Sequence, residues 1–182
     1  MPKVLIPLAQ GCEELEAVTV IDLLRRAGIE VITAGLDDQA VLASRGVTLI
    51  PDTTLDTILE ESFDMLVLPG GLPGADHLDN DPRIQALLTR QIQNDKKVAA
   101  ICAAPKVLAS AGLLDHKKAT AYPGTLEGLN LPHTEISSIN VLTDGKVTTS
   151  RGPGTAMDFA LALIEQLVDK AKRDEVEAGL VR

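Results

Sequence analysis

Short apolar segments alternate along this chain with amphipathic stretches, and glycine or proline marks each change. Val4–Leu8 reads as a buried strand that Gly11 breaks. Glu13 to Ala27 then carries an apolar stripe (Leu15, Val18, Ile21, Leu24) that stops at Gly28, a natural helix end. Ile29–Ala34 is the next strand, and Val41–Ala43 with Val47–Ile50 predicts a side hairpin around Arg45-Gly46. Met65–Leu68 runs into Pro69-Gly70-Gly71. Asp81 and Pro82 then open a helix with Ile84, Leu87, Leu88 and Ile92 on one face. The apolar run Val98–Ile101 leads through Cys102 into a further helix-like stretch. Towards the end, Val141–Val147 predicts a hairpin with an Asp144-Gly145 turn. A helix over 155–168 follows, its start resembling a capping box (Thr155 with Asp158), and Lys170–Gly179 is a charged last helix. Strands alternating with helices predict an α/β fold: a three-layer sandwich around a mainly parallel sheet, one domain over 1–182.

Composition agrees with buried parallel strands. Hydrophobic residues make up 45% of the 182 residues and aromatics only 2%, so Val, Ile, Leu and Ala must fill the core. A formal charge of −9 argues against nucleic acid as a stable partner. No uncharged apolar run approaches the ~18 residues of a membrane span, and Val4-Leu5-Ile6 follows the first residues too closely for a signal peptide. Two cysteines, Cys12 and Cys102, make no disulfide framework, so a reducing cytoplasm is the expected compartment. They have no His/Cys spacing suited to a metal, and no cofactor is expected.

In a parallel sheet the site lies beyond the carboxyl ends of the strands, which would gather three loops: Gly11–Glu16, Pro69–Gly74 and Cys102–Pro105. Cys102 has the layout of a nucleophile elbow. Small neighbours (Ala100, Ala103, Ala104) suit the crowding, and Pro105 fits a first helical position. A helix N-terminus there is expected to lower the thiol pKa; the alternative is a small buried cysteine packing as a hydrophobe. Gly70-Gly71 either lets amides approach a substrate oxygen or simply makes a tight turn. Glu16 either complements the helix dipole, as Glu13 and Glu14 are expected to do, or points at Cys102 with a raised pKa and carries a proton.

Gly11-Cys12-Glu13-Glu14-Leu15-Glu16, Leu68-Pro69-Gly70-Gly71, Ala99 to Pro105 and Ser150-Arg151-Gly152-Pro153-Gly154-Thr155 together resemble the ThiJ/PfpI superfamily. Within it the chain is similar, essentially end to end, to the branch of the parkinsonism-associated protein deglycase and the bacterial YajL. The resemblance implies a flavodoxin-like homodimer with Cys102 as nucleophile and redox-sensitive thiol. It implies that Glu16 is the protonated carboxyl on the sulfur and that the amides of Gly71 and Ala103 form the oxyanion site. It also implies action on glyoxal, methylglyoxal and their adducts on protein or nucleotide, or a role in oxidative-stress protection.

Where the animal branch has a histidine near the cysteine, this chain has Ala121-Tyr122-Pro123. Acid–base work would then fall to Glu16, with Tyr122 offering at most a phenol hydrogen bond, and slow turnover is expected. His116 and His133 read as surface residues, and His77 follows the Gly-Gly loop closely enough to be a candidate for the pocket. The leading reading is a deglycase or cofactor-independent glyoxalase. The alternative is a redox-sensing chaperone using the same oxidisable Cys102. A cysteine protease is the weakest, because protease-like relatives place a histidine where Ala103 stands. The apolar residues on more than one side of helix Glu14–Ala27 also favour a dimer, with Ser44-Arg45-Gly46 a candidate to reach the partner.

Overall fold

The computed structural model describes residues 1–182. In chain order the elements begin with β1 (Lys3–Leu8), α1 (Glu14–Arg26) and β2 (Glu30–Gly35). β3 (Val41–Leu42), β4 (Thr48–Leu49), β5 (Thr53–Thr54), α2 (Leu55–Ile58) and β6 (Met65–Leu68) follow. Next come α3 (Gly74–Asn80), α4 (Pro82–Gln93), β7 (Lys97–Ile101), α5 (Pro105–Ser110), β8 (Lys118–Ala119) and β9 (Glu135–Ile136). The chain closes with β10 (Val141–Asp144), β11 (Val147–Ser150), α6 (Ala156–Leu167) and α7 (Lys170–Gly179).

Seven strands form one sheet in the order β10-β11-β7-β6-β1-β2-β5, parallel throughout except for the β10–β11 hairpin. Successive strand side chains point to opposite faces. Val4, Ile6 and Leu8 therefore join Met65, Val67, Ala99 and Ile101 in a core shared with α1 and α6. Leu5 joins Leu66, Leu68, Val98 and Ala100 in a second core under α2, α4 and α5. This is the expected α/β three-layer sandwich. At ~25 cal/mol per Å², each fully buried Leu, Ile or Val is worth about 1.5–3 kcal/mol, so strands apolar on both faces anchor both layers.

Three local readings need correction, and a fourth element had no reading. First, α1 buries Glu16, Ala17, Val20, Leu23 and Leu24, whereas Leu15 and Val18 of the expected stripe are 50% and 46% exposed. The small Ala17 lets the helix lie close against the layer, which turns the larger Leu15 and Val18 outward. Second, the β10–β11 turn centres on Gly145-Lys146, one residue later than expected: Asp144 pairs with Val147, and Gly145 supplies φ +61° at the first central position. Third, Thr155 makes no side-chain cap for α6. Its hydroxyl bonds Ser150 Oγ at 2.6 Å and accepts from the Gly152 amide at 3.1 Å, tying the Ser150–Thr155 loop to itself. Fourth, α3 arises in a segment with no readable helical period. Elsewhere the expected cap is present, since the Asp81 side chain accepts from the Arg83 amide at 2.9 Å to start α4.

No helix is long and apolar enough to cross a membrane. Neither cysteine is in a disulfide.

Candidate active site

The carboxyl ends of β1, β6, β7 and β11 meet at one edge of the sheet, and backbone hydrogen bonds lock their loops together. The Glu13 amide donates to the Gly70 carbonyl (2.9 Å) and the Gly74 amide to the Gly11 carbonyl (3.3 Å). Cys102 follows β7 with φ +64°, a region that costs an L-residue roughly 1–2 kcal/mol. Two distant segments hold it there. Its amide donates to the Ser150 carbonyl at 3.0 Å, and its carbonyl accepts from the Tyr122 amide at 2.9 Å. The turn is thus over-determined by its neighbours, as a strained backbone requires.

Gly70 is the complementary half of the bend. A Cβ there would stand 2.6 Å from Cys102 Cβ, 2.7 Å from the Ile101 carbonyl oxygen and 2.9 Å from Glu16 Oε1. Gly71 has φ +85°, and a Cβ on it would reach 2.4 Å from the Glu13 amide nitrogen. The glycine pair therefore makes a tight turn and also brings its backbone close to the thiol.

Glu16 lies in the first turn of α1 with no exposed surface. Neither carboxyl oxygen has a partner at full hydrogen-bonding geometry. Burial pushes its pKa up to about 8, and the Cys102 thiol and Gly70 amide, the donors nearest to it, pull it only partly back. The expected lowering of the thiol pKa is not met. Burial and then an ionised Glu16 push Cys102 up to about 12, against the downward pull of the Gly71 and Ala103 amides. Burial outweighs the start of α5, a helix of only six residues.

The two groups form one coupled pair. Taken separately, the thiol stands above the carboxyl, but its high value includes the repulsion of an ionised Glu16. We propose that the last shared proton rests on Glu16. A charge on its buried oxygens would have no adequate donors, whereas a charge on Sγ faces the amides of Gly71 and Ala103.

Cys102 opens into a cleft of about 360 Å³ lined also by Glu13, Ser44, Arg45, Gly71, Leu72, Ala103, Tyr122, Thr125 and Pro153. Tyr122 is 54% exposed at its rim, and its ring packs 3.3 Å from where a Cβ on Gly152 would be. His77 does not reach this cleft; it lines a separate depression with Gln10, Leu36 and Asp37. His116 and His133 stack on each other at 4.8 Å on the surface. Cys12 is 1% exposed, and burial pushes its thiol up to about 12.

Glu13 and Glu14 do more than complement a dipole. The Glu14 carboxylate accepts the Arg45 amide through both oxygens (2.9 and 3.1 Å), the Val47 amide (3.4 Å) and the Ser44 hydroxyl (3.2 Å). Ser44 also donates to Glu13 at 2.9 Å. These bonds fold the β3–β4 hairpin onto the same chain's α1 as one wall of the cleft. Sequence reasoning missed Ser44, Arg45, Leu72 and Thr125 as lining residues. The only available signal was a doubled carboxylate before a helix together with a Ser-Arg turn.

The sequence model of the DJ-1/PfpI family matches residues 2–166. Over 181 residues the chain is 45% identical to Protein DJ-1 homolog B of Arabidopsis thaliana, an alignment covering 98% of this chain and 41% of the relative. It spans less than half the length of either plant relative it matches, 41% and 46%. It is 32% identical over 173 residues to a Caenorhabditis elegans protein named Glutathione-independent glyoxalase DJR-1.2, covering 95% and 91% of the two chains. The crystal structure of Drosophila melanogaster DJ-1beta superposes with a TM-score of 0.94 at 42% identity, covering 99% of this chain and 97% of that one.

Proposed function

The chain belongs to the DJ-1/PfpI family, and from that premise we propose that it is a cofactor-free, cysteine-dependent enzyme. Its substrates would be methylglyoxal, glyoxal and their early adducts on proteins or nucleotides. The observation that carries this reading is a strained Cys102 beside a carboxyl, Glu16, with no exposed surface. The glyoxalase name of the Caenorhabditis elegans relative supports the substrate class.

The Cys102 sulfur attacks the aldehyde carbon. An S–C bond forms as the carbonyl π bond opens, and Glu16 gives its proton to the new oxygen, which faces the amides of Gly71 and Ala103. With methylglyoxal, the Glu16 carboxylate then takes the hydrogen of that carbon as a proton and returns it to the neighbouring carbonyl carbon through an enediol, while the hydroxyl proton of the first oxygen passes to the second. A lactate thioester remains. Water cleaves its S–C bond, lactate leaves, and the thiol regains its proton. Oxidation of one carbon is matched by reduction of the next, so no external oxidant enters the balance. In an adduct, the displaced group is the amine or thiol that carried the aldehyde. No histidine lines the cleft, so proton traffic rests on Glu16, with the Tyr122 phenol as one hydrogen-bond donor.

We further propose a homodimer, because Leu15 and Val18 leave an apolar strip of α1 half exposed. The test of function is lactate formation from methylglyoxal, and amine or thiol release from a freshly glycated substrate, by wild type and Cys102→Ser. Equal rates, or no lactate from wild type, would refute the enzyme. Anti-aggregation activity surviving without turnover would favour redox sensing through the same thiol.

A further inference from the structure

β11 is buried yet not apolar. Strands covered on both faces of a parallel sheet read as apolar runs, and β6 obeys that rule. In β11, Val147, Thr148, Thr149 and Ser150 are all buried, and three of the four carry hydroxyls. A buried hydroxyl is unfavourable unless it is bonded, so the destinations of these bonds carry information. Thr148 bonds Gln166 and Thr143, tying α6 and β10 to the strand. Thr149 and Ser150 lead elsewhere. Thr149 shares the face of Val147, towards the core that holds Ala119 and Ala121. Its Oγ1 accepts from the Thr120 amide at 2.9 Å, and two residues on, the Tyr122 amide donates to the Cys102 carbonyl at 2.9 Å. Thr120 gains no hold of its own, because its hydroxyl is fully buried without a partner. Ser150 points to the opposite face. Its Oγ donates to the Asn140 carbonyl at 2.7 Å, which leaves the Thr155 hydroxyl as donor in the 2.6 Å bond between the two. The Ser150 carbonyl in turn accepts the Cys102 amide at 3.0 Å. Each hydroxyl therefore fixes a segment that grips one side of the Cys102 backbone.

We propose that Thr149 and Ser150 are positioning residues of the Cys102 site, two hydroxyls that hold the elbow bent and keep Sγ against Glu16 and the amides of Gly71 and Ala103. A backbone at φ +64° persists only while its surroundings insist on it. Hydroxyls suit this task because a hydrogen bond fixes direction, which a valine of the same shape does not. The two lie on opposite faces of one strand, so the carbonyl and the amide of Cys102 are referred to a single rigid element. The proposal deepens the enzymatic reading, since it rests on Cys102 as the reacting group. Its first readout is therefore the thiol itself and needs no turnover.

The test is a double-variant comparison. Cys102 alkylation by iodoacetamide is followed against pH, peptide mass spectrometry locates the label, and the shift of the inflection caused by Glu16→Gln is measured in several backgrounds. That shift is present only while Sγ and the carboxyl are held together. Thr149→Val, the same shape without the hydroxyl, should reduce it to about half or less of its wild-type size, and Thr149→Ser should restore it. Thr148→Val removes an equally buried hydroxyl from the same strand, but one with no link to Cys102. It should leave the shift unchanged even where it costs as much stability. Ser150→Ala should act as Thr149→Val does, and it serves if Thr149→Val does not fold. Lactate formation should lose about tenfold or more in kcat, with KM kept, in either variant. A full shift in folded Thr149→Val or Ser150→Ala, or an equal loss in Thr148→Val, would overturn the proposal. No shift from Glu16→Gln in the wild-type background would overturn it too, since no held pair would exist. A shift lost in Thr149→Val and restored in Thr149→Ser, in a protein that makes no lactate, would uphold the positioning role while refuting the enzyme.

Discussion

Glu16→Gln tests the site through stability. In the fold the carboxyl titrates near 8, against 4.5 for the same group in the unfolded chain. A raised folded pKa means that the native state holds the proton more tightly. The stabilisation is fully present below 4.5, declines as pH rises, and is gone above about 8, because between those values only the unfolded chain releases the proton freely. At ~1.4 kcal/mol for each pH unit, the gap corresponds to an upper bound of about 5 kcal/mol for a side chain with no exposed surface. Glutamine has nearly the same shape and no proton to lose. Denaturant midpoints measured across that window should therefore fall with pH in wild type and fall much less in Glu16→Gln, the difference between the two isolating this group from other carboxylates. The thiolate absorbance of Cys102 should move to higher pH in the variant, because the donor O–H is replaced by a weaker amide N–H. Parallel stability curves would mean that Glu16 is ionised in the fold, and the proton assignment would be wrong.

Gly70→Ala should cost about 1–3 kcal/mol from forced displacement of Cys102 and Glu16, and should slow alkylation of Cys102, as read by thermal melting and labelling. Mild peroxide should add two oxygens to Cys102, 9% exposed on its cleft, before Cys12 at 1%; peptide mass spectrometry showing the reverse order would reject the assignment. Light scattering of the 19.3 kDa chain should give twice that mass, with Val18→Glu shifting the population to monomer; a wild-type monomer at micromolar concentration would refute the dimer.

Much of the fold was legible because strands apolar on both faces and glycine-marked helix ends are local signals. The last helix matches its expected bounds, Lys170–Gly179, and β6 its Met65–Leu68. Helix α3 was not legible: GADHLDN has no apolar period, and it is held by packing against α4 and α5. The face of α1 was misread for a related reason. A stripe is judged from large side chains, but burial here follows Ala17 and a carboxyl whose partner lies 86 residues further along. The loops carrying Cys102, Glu16, Gly70 and Gly71 were legible from their places after strands, whereas the roles of these residues stayed open on position alone and came from the family resemblance. Arg45 was not legible in this way, since its place on the cleft wall comes from Glu14 across 31 residues of chain. The acidity of the thiol was misjudged because sequence displays the helix start and conceals the burial.

The backbone of Cys102 is held on one side by Ser150 and on the other by Tyr122, both made later by the ribosome than the cysteine itself. A chain that ends before Ser150 lacks the strand and carbonyl that keep the elbow bent, so its cysteine is free to relax to ordinary geometry. The special thiol is therefore a product of completed synthesis and folding. During translation, and in any fragment cut short of β11, the same residue is chemically just another cysteine.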